Sequence, residues 1–259
     1  MKLSDLQILT FAIVVVAAAI LIILERVFPY NKDHKFFRDG LLTDFVFYNA
    51  LQNFILGLII SQIILLIDES TNISRLHIIS SWSIPVQLVF FIVTHDFYIY
   101  WFHRWQHHNA VLWRIHEAHH SNKSIDWLAG ARSHSLEILI NQTIEFAPII
   151  LLGAAPQVAL YKGAVSAVWG MYIHSNINVH SGFLQYIING PEMHRWHHSD
   201  EGTEERNKNF ATKLAIWDWL FGTAFFPKNK KAFIYGLGYF FPKNYFKQQI
   251  FAFRKFRGG

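Results

Sequence analysis

Histidine is the residue type that offers this chain the most chemistry. Nine of its fifteen histidines lie in three short groups, which are His103, His107 and His108, then His116, His119 and His120, and finally His194, His197 and His198. The last two groups share the spacing H-x-x-H-H. Residues three and four apart lie on the same face of a helix, so each group points several imidazoles in one direction. The repeated pattern predicts metal binding.

The available ligand types limit which metal sites are possible. The 259-residue chain has no cysteine, which excludes disulfides, thiolate zinc sites and cysteine-ligated iron–sulfur clusters. Neutral imidazole binds iron, zinc, copper and nickel, so the ligand type does not select the metal. The rings exceed the roughly four ligands of one zinc ion, whereas two ions would use about four or five rings each. Haem is disfavoured, because its axial ligands lie across a helical bundle and these clusters would crowd one edge.

Long apolar runs determine where such a site would lie. Residues 6–24, 45–67 and 84–102 form runs about long enough to cross a bilayer. A fourth apolar region, 136–173, is interrupted at 153–156 by the sequence Gly-Ala-Ala-Pro, which indicates a turn between two helices. The pattern predicts an all-α, multi-pass helical membrane protein in which 136–173 form a membrane hairpin.

The distribution of charge predicts the orientation of these helices. Lys32, Lys35 and Arg38 follow the first run, which favours the cytoplasmic side for this connection. The third run returns the chain to that side at His103, and the hairpin returns it there again at His174. All three histidine groups are therefore expected on the cytoplasmic side, as a histidine-rich di-metal cap on the membrane helices.

The C-terminal tail is basic and aromatic, with eight lysines and arginines and no acidic residue after Asp218. Such a composition is able to bind single-stranded nucleic acid. Next to membrane spans it favours contact with anionic lipid headgroups instead, so no nucleic-acid partner is expected. The chain is thus divided into N-terminal transmembrane helices (1–89), a di-metal domain that includes the hairpin (90–225) and a membrane-surface tail (226–259).

A metal site at the edge of lipid-embedded helices can reach a lipid whose tail stays in the bilayer. Unreactive C–H bonds need a strong oxidant, which side chains do not supply but iron and dioxygen do. The residues therefore favour an oxygen-dependent di-iron enzyme that acts on lipid. A membrane zinc-dependent hydrolase is the alternative, since it would use the same histidines to activate water and needs no reductant.

Short segments around the histidines match the motifs of one known family. Residues 95–104, HDFYIYWFHR, match the pattern D-F-x-x-Y-W-x-H-R, and 217–223, WDWLFGT, match W-D-x-L-F-G-T. Residues 132–137, RSHSLE, are similar to R-x-H-P-x-E, with Ser135 where proline is usual. Together with the two H-x-x-H-H segments and the single His174 between them, this ordered set resembles the sterol desaturase and fatty acid hydroxylase superfamily of membrane di-iron oxygenases.

The resemblance implies an oxygenase that hydroxylates or desaturates a lipid C–H bond with two iron ions, dioxygen as co-substrate and electrons from a separate ferredoxin- or cytochrome-type donor. It implies as metal ligands His103, His107, His116, His119, His120, His134, His174, His194, His197 and His198. Candidates to hydrogen-bond a ligating ring or a metal-bound water are His95, Asp96, His108, Glu137, Asn176, His180 and Asp218. The motifs do not identify the lipid.

Overall fold

The computed structural model describes residues 2–202, 205, 207–227 and 230–255. Their α-helices are α1 (Leu3–Val27), α2 (Asn53–Thr71), α3 (Ile84–His108), α4 (Ala110–His120), α5 (Ser135–Leu151), α6 (Pro156–His174), α7 (Pro191–His197), α8 (Ile216–Leu220) and α9 (Tyr245–Phe251). A π-helical segment, Thr43–Gln52, leads directly into α2, and 3-10 turns lie at Ile73–Leu76, Ala129–Ala131 and Gly182–Tyr186. The described residues contain no β-strand, which confirms the predicted all-α class.

Among the described residues, three helical segments are long and apolar enough to cross a membrane: Leu3–Val27, Thr43–Thr71 and Ile84–His108. They contain the first three apolar runs of the sequence, whose helical conformation is thereby confirmed. On α1, large apolar side chains point away from the protein. Ile8 is 70% exposed and Phe11 is 72% exposed. A continuous surface of this kind is stable in lipid rather than in water, as expected for an integral membrane protein.

Helices α5 and α6 form the expected hairpin, with a short connection at 152–155. Gly153 has a positive φ of 71° in this turn, which glycine adopts without strain. Pro156 begins α6, where its missing N–H removes no helical hydrogen bond. α5 packs along α2, and α6 packs against α1 and α3. The insertion of the hairpin in the membrane stays a prediction.

Apolar contacts hold the closed end of the hairpin against the spans. Leu56 and Ile60 of α2 form a buried cluster with Ala147 of α5. Phe91 of α3 belongs to a second cluster that includes Val158 of α6. Since both arms are fixed near their connection, the opposite end of the hairpin reaches the end of α3 in a defined position.

A cap built from α4, α7, α8 and their loops covers the C-terminal part of α3 and the open end of the hairpin. α4 packs against α3 and α5, α7 packs against α6, and Trp217 of α8 packs against Phe97 of α3. The chain turns from α3 into α4 at Asn109, whose side chain accepts from the backbone N–H groups of Val111 and Leu112. Such a side chain satisfies donors that a new helix leaves unpaired. This turn places the second histidine group beside the first.

The C-terminal segment, which is the described part of the tail (226–227 and 230–255), packs on the protein through α9. The hydroxyl of Tyr48 donates to Oε1 of Gln248 at 2.5 Å, which joins α9 to the π-helical segment. Large apolar residues of this segment stay exposed, among them Phe240 (79%) and Ile250 (69%). That surface is compatible with a membrane-surface tail, which stays a prediction. Lys228, Asn229 and residues 256–259 of the tail lie outside the described residues.

Candidate metal centre

Nine of the ten histidines expected as ligands lie together in two groups. The five-histidine group comprises His103, His107, His116, His120 and His197, and the four-histidine group comprises His119, His174, His194 and His198. Within each group, one nitrogen of every ring lies within 4.8 Å of the corresponding nitrogens of the other rings. The groups adjoin, since the ring centroids of His120 and His198 are 4.5 Å apart.

The two H-x-x-H-H segments divide their rings between the groups in a reciprocal way. On α4, the first and last rings belong to the five-histidine group, while His119 belongs to the four-histidine group. At α7 the assignment is reversed, and His197 is the ring that joins the five-histidine group. The rings of each segment face the same region, as predicted from the spacing, but each segment contributes to both groups.

The geometry of the five-histidine group fits a bound cation. His103 donates from Nδ1 to the carbonyl oxygen of Phe210 at 2.7 Å, and His116 donates from Nδ1 to Oε1 of Glu137 at 2.7 Å. A neutral imidazole that donates from Nδ1 has a lone pair on Nε2. The two Nε2 atoms are 3.0 Å apart. Their lone pairs therefore face each other and repel unless a cation binds both.

The four-histidine group has the same arrangement around His174. His174 donates from Nδ1 to the carbonyl oxygen of Gly170 at 2.7 Å, and His119 donates from Nδ1 to that of Arg132 at 3.1 Å. Their Nε2 atoms are 3.2 Å apart, and Nε2 of His194 is 2.9 Å from Nε2 of His174. Metal–imidazole bonds of about 2.0–2.1 Å bring nitrogens on one ion to roughly 3–3.5 Å from each other. The residues of each group therefore fit one metal ion.

The histidines of the cap are held in the neutral form that binds metals. Burial lowers the pKa of His116 to about 3 and the pKa of His119 to about 3. Burial, with a contribution from neighbouring rings, also lowers the pKa far below the usual 6.5 for His120, His194, His197 and His198. Protonation would remove a lone pair and place a charge in a buried site. At neutral pH these rings are free to bind metal.

Glu137 hydrogen-bonds a ring of the site, as expected. Besides the bond from His116, its Oε1 accepts from Nε2 of Gln106 at 2.9 Å. A carboxylate on one nitrogen of an imidazole fixes the ring orientation and makes the other nitrogen a stronger donor to metal. Glu137 lies in the first turn of α5, so the hairpin orients a ring of α4.

Buried ion pairs position the backbone that holds His119. Arg132, whose carbonyl oxygen accepts from His119, donates from Nε to Oδ1 of Asp44 at 2.7 Å. Oδ2 of Asp44 accepts from Arg38 at 2.8 Å, and Arg38 forms a two-point ion pair with Asp126 at 2.6 and 2.9 Å. The motif around Arg132 was visible in the sequence. The ion-pair partners of Arg132 were not visible there, because pairing between distant segments leaves no local pattern.

Asp96 and Asp218 do not bind rings, contrary to expectation. Asp96 accepts from two backbone N–H groups in 212–214, at 2.9 and 2.8 Å. Asp218 accepts from the backbone N–H of Phe210 at 2.8 Å. A buried carboxylate without a cation needs several donors, and a loop backbone provides them. Both residues act on His103 indirectly, because they hold the loop whose Phe210 carbonyl orients that ring.

His134 is the expected ligand that the structure does not bring to the other nine. Its Nδ1 accepts from the backbone N–H of Leu136, which caps the start of α5. Its Nε2 donates to the carbonyl oxygen of Gln249 at 2.9 Å. Both nitrogens are therefore engaged in holding α5 and the C-terminal segment.

His108 and His180 lie outside both groups. His108 is exposed, and its Nδ1 donates to the carbonyl oxygen of Arg104 at 2.7 Å in the last turn of α3. His180 has a side chain that is 80% exposed and lies 3.1 Å from Oε1 of Glu192. The register of α3 directs His107, rather than His108, to the five-histidine group.

Asn176 and His95 occupy different surroundings. Asn176 donates from Nδ2 to the carbonyl oxygen of Asn31 at 3.0 Å, so its side chain fixes the connection after α1 rather than contacting the rings. His95 is buried about two turns before His103 on α3 and lines the same cavity, as expected from its position. Its Nδ1 lies 3.2 Å from Nζ of Lys162.

Gly130 is a determinant of the site that sequence reasoning missed. A Cβ atom at this position would lie 2.5 Å from Nδ1 of His174 and 2.7 Å from its Cε1. Only a hydrogen fits beside that ring. The small residues at 129–131 were the available signal, and it is a weak one.

Two cavities reach the rings. The inner cavity, of about 230 Å³, lies among α3, α5 and α6 and is lined by His103, His116, His119, His174 and His194. The outer crevice, of about 410 Å³, is lined by His107, His120, His197 and His198. Trp113 and Tyr239 form part of its wall. The two groups are therefore accessible from more than one direction.

Comparison with known proteins identifies relatives that share these motifs. The family model for fatty acid hydroxylase matches residues 88–223. The chain is 31% identical to the ornithine lipid hydroxylase OlsE of Rhizobium tropici over 228 residues, which cover 85% of this chain and 68% of that protein. It is 34% identical to the alkylglycerol monooxygenase of Homo sapiens over 55% of this chain and 31% of that protein.

A third relative is methylsterol monooxygenase 1-3 of Arabidopsis thaliana, which is 30% identical over 58% of this chain and 52% of its own length. The chain thus spans about a third of the human relative and half of the plant one. No solved structure matches the chain. The superfamily expected from the motifs is confirmed.

Proposed function

Since the chain belongs to the fatty acid hydroxylase family, we propose that it is a membrane-bound non-haem di-iron oxygenase. It would hydroxylate or desaturate a C–H bond of a lipid with dioxygen and external electrons. The observation that carries the proposal is the pair of adjoining histidine groups, in which buried neutral rings direct facing lone pairs at each other.

In this proposal each histidine group holds one iron ion. When bound, the two ions would supply the activation of dioxygen that oxidation of an unreactive C–H bond needs. The protein keeps the rings neutral by burial and fixes their direction through their Nδ1 protons. The Nδ1–H group of His116 donates to the carboxylate of Glu137. The Nδ1–H groups of His103, His119 and His174 donate to backbone carbonyl oxygens.

The inner cavity is the proposed place for the lipid. Beside the histidine rings, the walls of this cavity are apolar and include Ile99, Phe102, Ile138 and Ile173. These side chains come from α3, α5 and α6, so an alkyl chain would lie between helices that themselves contact the bilayer. Apolar walls also exclude water from the reacting C–H bond.

The names of the relatives support a polar lipid as the substrate class. They describe enzymes of an ornithine lipid, of alkylglycerols and of methylsterols. Each such molecule joins a long apolar part to a group that contains oxygen. We propose that the substrate of this chain has the same general form.

Three further features belong to the proposal. The histidine groups face the cytoplasm, in agreement with the basic residues after the first span. A separate electron carrier approaches the cap, where the outer crevice reaches four of the rings. The C-terminal segment lies on the membrane surface with its exposed apolar residues.

Metal analysis combined with labelled dioxygen tests the proposal. The full-length protein, purified from cells supplied with iron, is expected to hold iron and to yield either a lipid with labelled oxygen or a lipid with a new double bond. Comparison of lipid extracts from cells with and without the gene would supply candidate substrates. Bound zinc together with lipid turnover under nitrogen would instead support the zinc-dependent hydrolase.

A further inference from the structure

The inner cavity has a second polar end, about 12 Å along the helices from the rings. Each polar residue at this second end lies on the same helix as a residue near the rings, about two helical turns away from it. The pairs are His95 with His103 on α3, Glu145 with Glu137 on α5, and Ser166 with His174 on α6. Since three helices share this spacing, the cavity runs along them between two polar ends.

Lys162 determines the protonation of His95. The lysine is completely buried, and its ammonium group binds Glu145 and lies 3.2 Å from Nδ1 of His95. An ammonium group only donates, so Nδ1 of His95 is the acceptor. The neutral ring of His95 therefore carries its proton on Nε2.

Two N–H donors of this cavity have no hydrogen-bond partner among the described residues. They are Nε2 of His95 and Nε1 of Trp169, and both side chains line the inner cavity. His95 is only 8% exposed. An indole N–H can only donate, and an unpaired buried donor is unfavourable. A molecule that brings an acceptor atom into the cavity would satisfy both donors.

The charges around the cavity favour a neutral acceptor over an anion. Lys213 and Glu145 line this end, and Lys162, which does not line the cavity itself, pairs with Glu145. Glu137 adds a second carboxylate at the histidine end. With cations and carboxylates in balance, the lining lacks the excess positive charge that a buried carboxylate or phosphate requires.

We propose that this end of the inner cavity is a binding subsite for a neutral oxygen of the lipid substrate, an ester or amide carbonyl or an ether oxygen. The oxygen accepts from Nε2 of His95 and Nε1 of Trp169. Holding it there fixes which carbon of the chain reaches the histidine end. The inference rests on the proposed function, whose substrate class it narrows.

Binding of three probes with matched chains tests the subsite. The iron-loaded, full-length protein in detergent is kept under nitrogen without an electron donor, so that no turnover occurs. Competition against radiolabelled methyl hexadecanoate compares unlabelled methyl hexadecanoate, heptadecane and the hexadecanoate anion. The ester is expected to bind about tenfold more tightly than the alkane, which offers no acceptor, and more tightly than the anion.

Trp169→Phe removes the donor and keeps an aromatic ring. It is expected to weaken binding of the ester about tenfold and to leave binding of the alkane unchanged. Trp105→Phe is the matched control, because Trp105 is 58% exposed and does not line the cavity. His95→Gln keeps one acceptor and one donor, so it is expected to retain most of the preference for the ester.

Equal binding of ester and alkane by the unmodified protein would overturn the subsite, since the two donors would then be satisfied by water only. Equal loss of both ligands in Trp169→Phe would overturn it as well, because that result reports packing. Tighter binding of the anion would contradict the charge argument. Selective ester binding in a protein that oxidises no lipid would instead remove the proposed function and support the subsite.

Discussion

The two histidine groups present the same ligand to a metal but are supported by different means. In the five-histidine group, His116 is oriented by the carboxylate of Glu137. In the four-histidine group, the orienting acceptors are backbone carbonyl groups, and His174 is also confined by the close approach of Gly130. One group depends in part on charge and the other on shape.

This difference predicts how each group responds to change. A hydrogen bond from an imidazole to a carboxylate makes the other ring nitrogen a stronger ligand for metal. Loss of the carboxylate charge therefore weakens metal binding by a limited amount. A ring confined by close packing has no room to adjust, so an added methyl group must displace it. The five-histidine group should therefore lose affinity by degrees, whereas the four-histidine group should fail abruptly.

The largest effect is expected for Gly130→Ala. The new Cβ would overlap His174, which must move and leave the four-histidine group incomplete. We expect one of the two metal ions to be lost and activity to fall by about 100-fold or more, as misplacement by about 1 Å can cost that much. Metal content per chain and lipid turnover measure the effect.

Gly57→Ala is the matched control, because a Cβ at that position would meet no atom within 4 Å beyond its chain neighbours and the backbone of its own helix. It should retain both metal ions and normal turnover. If Gly130→Ala also retained both ions, the close approach of Gly130 would not be what places His174.

The second effect is a loss of stability of the metal-free protein at low pH. Buried neutral rings of both histidine groups should contribute to this loss. Burial lowers the pKa of His116 and of His119 to about 3, whereas unfolded histidine titrates near 6.5. Between these values the unfolded chain binds more protons, so stability is complete above about pH 6.5 and falls as the pH decreases toward 3. Each ring should cost about 2 kcal/mol at pH 5.

Thermal unfolding at about pH 7.5 and pH 5 measures this loss. Asp218 acts in the opposite direction, because burial raises its pKa to about 6 and the folded state then binds the extra proton. The cap histidines outnumber it, so a lower unfolding temperature at pH 5 is expected. An unchanged temperature would show that the rings are not buried in the neutral form.

A smaller effect is expected for Glu137→Gln. The amide can still accept from His116 but lacks the charge, so the five-histidine group should bind metal about 10- to 100-fold more weakly. The four-histidine group should keep its ion. Titration with a chelator separates the two sites, and Glu69→Gln at an exposed position is the control. Simultaneous release of both ions at the same chelator concentration would contradict independent support of the groups.

The smallest effect is expected for His134→Ala. Loss of the cap on α5 and of the bond to Gln249 should lower the free energy of unfolding by about 1–2 kcal/mol. Metal content should not change, since His134 lies outside both groups. His180→Ala, at an exposed site, serves as the control. A lost metal ion in His134→Ala would restore the role that the family motif implied.

The sequence predicted the helices and most of the candidate ligands because both leave local patterns. Apolar runs of membrane-spanning length, and a Gly-Ala-Ala-Pro break, marked the spans and the hairpin. Repeated H-x-x-H-H spacing marked the rings. The division of each segment between two groups was not predictable, because it depends on how α4 and α7 lie against each other.

Roles that depend on distant partners were also beyond local patterns. A motif histidine such as His134 has the same spacing whether it binds metal or caps a helix. Asp96 and Asp218 looked suited to accept from rings, yet the loop backbone of 210–214 supplies their donors. Gly130 carried only the weak signal of its small neighbours, since its importance lies in the ring that folds against it.

The contacts of the C-terminal segment set the order in which the site can be completed during synthesis. All nine rings of the two groups precede residue 199, and the family motifs end at 223. Yet Tyr239 accepts from Trp113 beside the rings, and Arg254 pairs with Glu117 on α4. A nascent chain therefore has every ligand before it has the outer wall of the crevice. Its histidine groups therefore stay open to small molecules until Tyr239 and Arg254 have packed against α4.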